Sequence, residues 1–213
     1  MKKYLAGLGA LAVAGSLFVS QPGDVMAQEN TTQRSEIGTY GLSLLASGEL
    51  EGRLTPYILG VPKSGNIAAH YTAKSIVSIG LFDQSNLIVK IPDEFKYVAL
   101  QDEFKRAIKG SITYPTGLGS ATHEYTAGDI TIYADRIVLK NPKASYIIGS
   151  KFSADLSIDY GSILDKYPNI PIDENPSGYS FAAVLSDNAM IDFNLIGSKE
   201  GKWVTEETAA IRK

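Results

Sequence analysis

The 213-residue chain has no cysteine, two histidines and one tryptophan. The missing cysteine excludes disulfides, thiolate metal sites and a lipid-modified cysteine anchor. Excess positive charge is missing too. Lys and Arg number 20 against 23 Asp and Glu, a formal net charge of -3, which argues against a broad electrostatic grip on nucleic acid. No GxSxG elbow, HExxH, Walker loop, GxGxxG or EF-hand pattern occurs. What remains is 44% hydrophobic, 20% charged and 9% aromatic, with 20 Gly and 9 Pro, the composition of a globular protein that is neither disordered nor collagen-like.

The N-terminus carries an address. Met1-Lys2-Lys3 is a short basic start, and Tyr4–Ser20 is apolar and small, with Leu5, Leu8, Leu11, Val13, Leu17 and Phe18. Gln21-Pro22-Gly23-Asp24 breaks the run, and Val25-Met26-Ala27 places small or branched residues where a signal peptidase reads them. This layout predicts a secretory signal cleaved between Ala27 and Gln28. Cleavage removes two Lys and one Asp, leaving 18 basic and 22 acidic residues. The exported chain then relies on core burial in place of disulfides, at roughly 70% of its unfolded surface. No later apolar run reaches spanning length.

Residues 28–36 (QENTTQRSE) are polar and aperiodic and read as a disordered leader, with 37–213 expected as one domain. The dominant signal after them is alternation of period 2. In Lys151–Tyr160 (KFSADLSIDY), Phe152, Ala154, Leu156, Ile158 and Tyr160 point one way, and Ser153, Asp155, Ser157 and Asp159 the other. That is a half-buried antiparallel strand. Further strands are expected at Leu42–Ala46, Gly52–Leu59, Ser75–Ile79, Asn86–Ile91, Gly110–Tyr114, Asp129–Tyr133, Arg136–Leu139, Ser180–Leu185 and Met190–Ile196. Turn pairs such as Ser64-Gly65, Gly128-Asp129 and Ser177-Gly178 punctuate them. Many short strands on one chain predict an all-β fold, an antiparallel Greek-key β-sandwich. One short helix is expected from Gln101 to Lys109, ended by Gly110, and Asn169–Gly178 as a Pro-rich acidic loop.

Candidate chemistry is thin. His123 and Glu124 with Asp129 would make a general-base or metal site, and a Gly-rich loop precedes them; a solvated loop histidine is the plainer reading. His70 reads as a turn or strand-edge residue. Calcium would draw on Asp83, on Asp173 with Glu174, or on Asp187 with Asp192, although each cluster alone supplies too few of the six to eight oxygens needed. Twelve Tyr suit a contact surface, with Tyr97, Tyr114, Tyr125, Tyr133 and Tyr146 as candidates for ligand binding; packing at sheet rims accounts for Tyr equally well.

Three stretches, Asn86–Phe95 (NLIVKIPDEF) with its Ile-Pro-x-x-Phe ending, Asp129–Arg136 (DITIYADR) and Tyr146–Tyr160, bring the chain close to a known group. It resembles the Ig-like β-sandwich modules of Gram-positive surface and matrix proteins. The resemblance implies an adhesin, wall-associated spacer or biofilm-matrix role. It transfers no functional residue, because the matching positions are packing positions. The expectation is therefore a secreted or cell-surface, non-catalytic protein that binds a cell-wall or extracellular polymer, or a protein surface, or itself. The alternatives are an exported hydrolase and a calcium-dependent sugar-binding module.

Overall fold

Alternating apolar and polar side chains mark one half of the strands and unbroken apolar runs the other half. The two patterns become the two layers of a β-sandwich. The computed structural model describes residues 44–76, 84–144, 147–193, 201–203 and 209–212. In the first layer β1 (Leu44–Thr55), β3 (Asn66–Ser75), β5 (Ile108–Thr116), β6 (Gly119–Glu124) and β9 (Lys151–Asp159) pair in the order β6-β5-β9-β3-β1, antiparallel throughout. The second layer holds β10 (Tyr179–Ser186), β4 (Asn86–Lys90), β8 (Arg136–Lys140) and β7 (Ile130–Ile132), with β11 (Gly201–Trp203) on the start of β10. The sheet is continuous through β1. Its residues from Ala46 to Thr55 pair with β3, whereas Leu44 and Ala46 meet Ser186 and Leu185 of β10 across an irregular register. A bulge of this kind lets one strand serve both layers.

Side chains from both layers fill one core. Leu54, Ile67, Tyr71, Ile112, Phe152 and Ile158 of the first layer pack with Leu87, Val89, Ile137, Leu139, Phe181 and Leu185 of the second. The second layer is also covered outside, where Ile88, Val138 and Val184 pack with Ile191 from the segment after β10. Burial on both faces explains the unbroken apolar runs of β4, β8 and β10. The first layer keeps one face in water and so alternates.

Several expected boundaries move. The two segments Leu42–Ala46 and Gly52–Leu59 largely merge into β1, which stops before Pro56; the two-residue β2 (Tyr57–Ile58) follows. Strand β3 lies upstream of the expected Ser75–Ile79, of which residues 77–79 fall outside the described residues. Of the expected strand Met190–Ile196, residues 190–193 are not in a strand and 194–196 fall outside the described residues. The helix expected at Gln101–Lys109 shrinks to one turn, α2 (Phe104–Ala107), preceded by a separate turn, α1 (Lys96–Ala99), and Ile108 and Lys109 already pair with β9. Gly110 is a strand residue, and a Cβ there would lie 2.6 Å from the Asp155 carbonyl oxygen. A third helix, α3 (Gly161–Lys166), was not anticipated. Lys166 pairs with Glu103 and so ties α3 to the segment before α2. None of the described helices is long and apolar enough to cross a membrane.

One end of the sandwich closes around Phe95, the phenylalanine of the Ile-Pro-x-x-Phe stretch. Its buried ring meets Tyr160 and Tyr179 edge-on, each at 5.3 Å between centroids, and lies 6.3 Å from Phe181. The two tyrosine hydroxyls hold the C-terminal segment. Tyr160 Oη donates to the carbonyl oxygens of Thr55 and Ala210, both at 2.8 Å. Tyr179 Oη donates to Asp173 O at 3.0 Å and accepts from the Ala210 N–H at 2.9 Å. Next to that clip β12 (Ile211–Arg212) pairs in parallel with β2. Removing the Tyr160 hydroxyl takes one donor from Thr55 O and leaves Ala210 O with only the Tyr57 N–H at 2.7 Å, a loss of about 1 kcal/mol. Tyr160→Phe is therefore expected to lower the unfolding free energy by that amount, seen as a lower denaturation midpoint, and to speed amide exchange at residues 209–212. An unchanged midpoint with unchanged exchange there would show that the clip holds nothing.

Candidate functional site

The water-facing side of the first layer is built by register. Glu124 on β6, Ser111 on β5, Asp155 on β9, His70 on β3 and Glu51 on β1 are successive cross-strand partners. At about 4.8 Å per strand the row spans roughly 19 Å. Within it His70 Nδ1 lies 2.7 Å from Asp155 Oδ1, and the two side chains are 46% and 74% exposed. Two residues along each strand lies a parallel outward row of Arg53, Ala68, Ser157 and Lys109. On the other side Glu49, Thr72, Ser153, Thr113 and Thr122 line up, with the Thr113 and Thr122 hydroxyls 2.9 Å apart.

These rows enclose two shallow grooves. The first, about 580 Å³, has Gly52, Ala68, Ala69 and Gly110 at its bottom and Glu51, Arg53, His70, Lys109, Glu124 and Asp155 around it. Small side chains flanked by long charged ones make the depression. The second, about 880 Å³, runs on between Thr72, Lys74, Thr113, Ser120, Lys151 and Ser153. Hydroxyls and charges of both signs thus stand on rigid strands. Ser111 faces Asp155, not His70, and lies two strands from the imidazole, about 10 Å away. His70 is therefore not placed to act as a base on the Ser111 hydroxyl.

The hydrolase candidates His123, Glu124 and Asp129 do not converge. Alternation along β6 turns His123 toward the interior side and leaves Glu124 on the outer row. Asp129 Oδ2 accepts the Thr126 N–H at 2.8 Å and the Thr126 hydroxyl at 2.7 Å, with His123 Nε2 at 3.3 Å. These donors, Thr126 foremost and His123 after it, hold the Asp129 carboxyl below its usual range. The carboxylate locks the turn between β6 and β7, and His123 is its neighbour, edge-on to the Tyr125 ring at 5.7 Å. The expected catalytic trio is corrected to a structural pair plus one residue of the outer row.

The tyrosines do not form one surface either. Tyr97 and Tyr133 are 48% and 38% exposed on α1 and in the β7–β8 turn. Tyr114 is half buried against the core. Tyr125 is buried and donates to Asn141 Oδ1 at 2.7 Å, which removes it from the ligand-binding set. Tyr146 and Asp83 lie outside the described residues. Asp173 and Glu174 share a small cleft with Glu94 and Tyr97, where the Asn175 amide donates to Glu94 at 2.6 Å. Asp187 and Asp192 belong to the segment that follows β10. Among the described residues no three His, Asp or Glu side chains come close enough to hold a metal ion together.

Sequence reasoning missed Glu51, His70, Ser111 and Asp155 as a set. The solvent-side placement of Asp155 was readable from the alternation of β9, but the row requires the register of five strands.

The Asp129 contacts have a pH signature. A carboxyl whose pKa is depressed by folding contributes stability above its unfolded value, near 4, and that contribution is lost as pH falls through the lower folded value. Wild-type protein is expected to lose stability below about pH 4 more steeply than Asp129→Asn, as read from denaturant midpoints across pH 2–6. Parallel curves would show that the turn lock is not linked to protonation.

No protein-family profile matches the chain, and no curated protein matches it in sequence. Two solved structures are distantly similar to it. One is AvmM, described as catalysing macrocyclization in alchivemycin A biosynthesis, at 9% identity and a TM-score of 0.38, covering 70% of this chain and 78% of that one. The other is the partial N-terminal region of an enterococcal surface protein, at 11% identity and a TM-score of 0.43. That alignment covers 85% of this chain, which spans 46% of the surface-protein structure.

Proposed function

We propose that the protein is an exported, non-catalytic β-sandwich that works at the cell surface or outside the cell by binding an extended extracellular or cell-wall polymer. The outer face of the first layer is the binding surface. The observation that carries this reading is the cross-strand row Glu51–His70–Asp155–Ser111–Glu124 over a trench of Gly and Ala. A polymer lying across the strands would meet hydroxyls and charges of both signs at regular spacing, with nothing bulky in its way. Rigid strands would supply these contacts with little ordering cost. The signal-like N-terminus supports export.

Retention on isolated cell wall and on soluble glycan tests the reading. Ala68→Trp places a large ring on the exposed groove bottom without entering the core, so it is expected to weaken retention at least tenfold, about 1.4 kcal/mol. His70→Ala is expected to weaken it less, and His123→Ala, on the other side of the sheet, to leave it unchanged. Equal retention by Ala68→Trp and wild type would remove the groove from the binding surface. No saturable retention by folded wild-type protein would sink the reading itself.

A further inference from the structure

Among the described residues the first layer ends on β6, and one bond fixes the hydrogen-bonding direction of that strand. Tyr125 N–H donates to Gly110 O at 2.8 Å, and Glu124 stands opposite Ser111. In an antiparallel ladder bonded and non-bonded pairs alternate. His123 and Ala121 therefore bond to β5, while Ser120, Thr122 and Glu124 turn their N–H and C=O groups away from it, toward the open edge. The same alternation explains why β5 leaves β9 after Thr113: the next group aimed at β9 would be the N of Pro115, which carries no proton.

This edge lacks the usual protection. Gly119–Glu124 contains no Pro and no Lys, and its register with β5 runs without a bulge. The opposite end of the sheet, β7, is only three residues long. The β6 edge is also self-complementary. A second copy placed antiparallel about a two-fold axis through Thr122 sets Thr122 against its own counterpart and Ser120 against Glu124. In that register every outward N–H meets an outward C=O, three donated by each chain. It keeps water-facing side chains on one side and opposes no like charges. A slip of two residues pairs Ser120 with Thr122 and leaves Glu124 facing the hairpin tip.

We propose that two copies of the chain associate edge to edge through β6, Thr122 beside Thr122, joining their first layers into one continuous sheet. Isologous two-fold pairing is the commonest symmetry of self-association. The contact is confined to one six-residue edge, so association is expected to be weak, in the micromolar-to-millimolar range. The joined sheet carries both outer faces on the same side, giving any polymer bound there a two-site grip. The association itself needs no polymer and is tested without one.

Sedimentation of the purified full chain, loaded across the micromolar-to-millimolar range, is expected to show the weight-average mass rising from one chain toward two. Amide exchange over the same range is expected to slow at Ser120, Thr122 and Glu124 and to stay constant at Ala121 and His123. Thr122→Pro removes an outward N–H at an edge position that tolerates proline, and Thr122→Lys sets two lysines against each other. Each is expected to weaken association at least tenfold with the circular dichroism of the folded protein retained. A wild-type mass of one chain at every concentration would overturn the proposal. So would a dimer whose Ser120, Thr122 and Glu124 amides exchange as in the monomer, or one that folded Thr122→Lys forms equally well.

Discussion

Everything at one end of this sandwich hangs on a phenylalanine ring held between two tyrosines. An open two-layer sheet has a problem at its ends, where strand termini expose main-chain groups above an apolar core. Proteins with disulfides can staple such an end; this chain has no cysteine. Phe95 fills the space, and Tyr160 and Tyr179 turn their hydroxyls toward main-chain atoms of Thr55, Asp173 and Ala210. Burial pushes both phenol pKa values upward. The hydroxyls thus remain protonated donors well above neutral pH. Three distant segments of the chain meet there, so the cluster couples the end of β1, the loop before β10 and the C-terminal segment into one unit.

The two layers differed in how much of them could be read in advance, and the reason is solvent. Lys151–Asp159 alternates because one side faces water, and β9 appears where the alternation placed it. β3 is also half exposed, yet Ala68 faces out and Ala69 faces in, so its small residues hide the period. The expected strand slid downstream as a result. In the second layer Ile88, Val138 and Val184 are covered from outside as well as inside. Continuous apolar runs then mark the strands without revealing which face is which. The helix between Gln101 and Lys109 was overestimated because Ile108 and Lys109 suit either period; pairing with β9 decides for strand.

The site was less legible than the fold for a related reason. Proximity in sequence drew attention to His123, Glu124 and Asp129, and two of those do touch. They touch as parts of a turn. Period-2 geometry separates His123 from Glu124 by the thickness of the sheet, so neighbours along a strand cannot share a cleft. Residues that do share one come from strands separated by tens of positions, as His70 and Asp155 do. Nothing local in Ala68-Ala69-His70-Tyr71 announces that the imidazole will meet a carboxylate 85 positions away.

The outer face is unusual for what its strands omit. Bulky β-branched and aromatic residues stabilise exposed strand faces through cross-strand contact. Here Ala68, Ser111, Ser153 and Ser157 occupy central positions where such side chains would fit. The second layer solves the same problem by covering its outside with Ile191 and its neighbours. Among the described residues the first layer carries small, hydroxyl and charged side chains on its outside in place of an apolar cover. Tyr71 packs on the inner side, its ring so close to Gly48 that a Cβ there would stand 2.7 Å from it. The flat, polar and shallowly grooved outer face is the surface on which the proposed polymer contact rests.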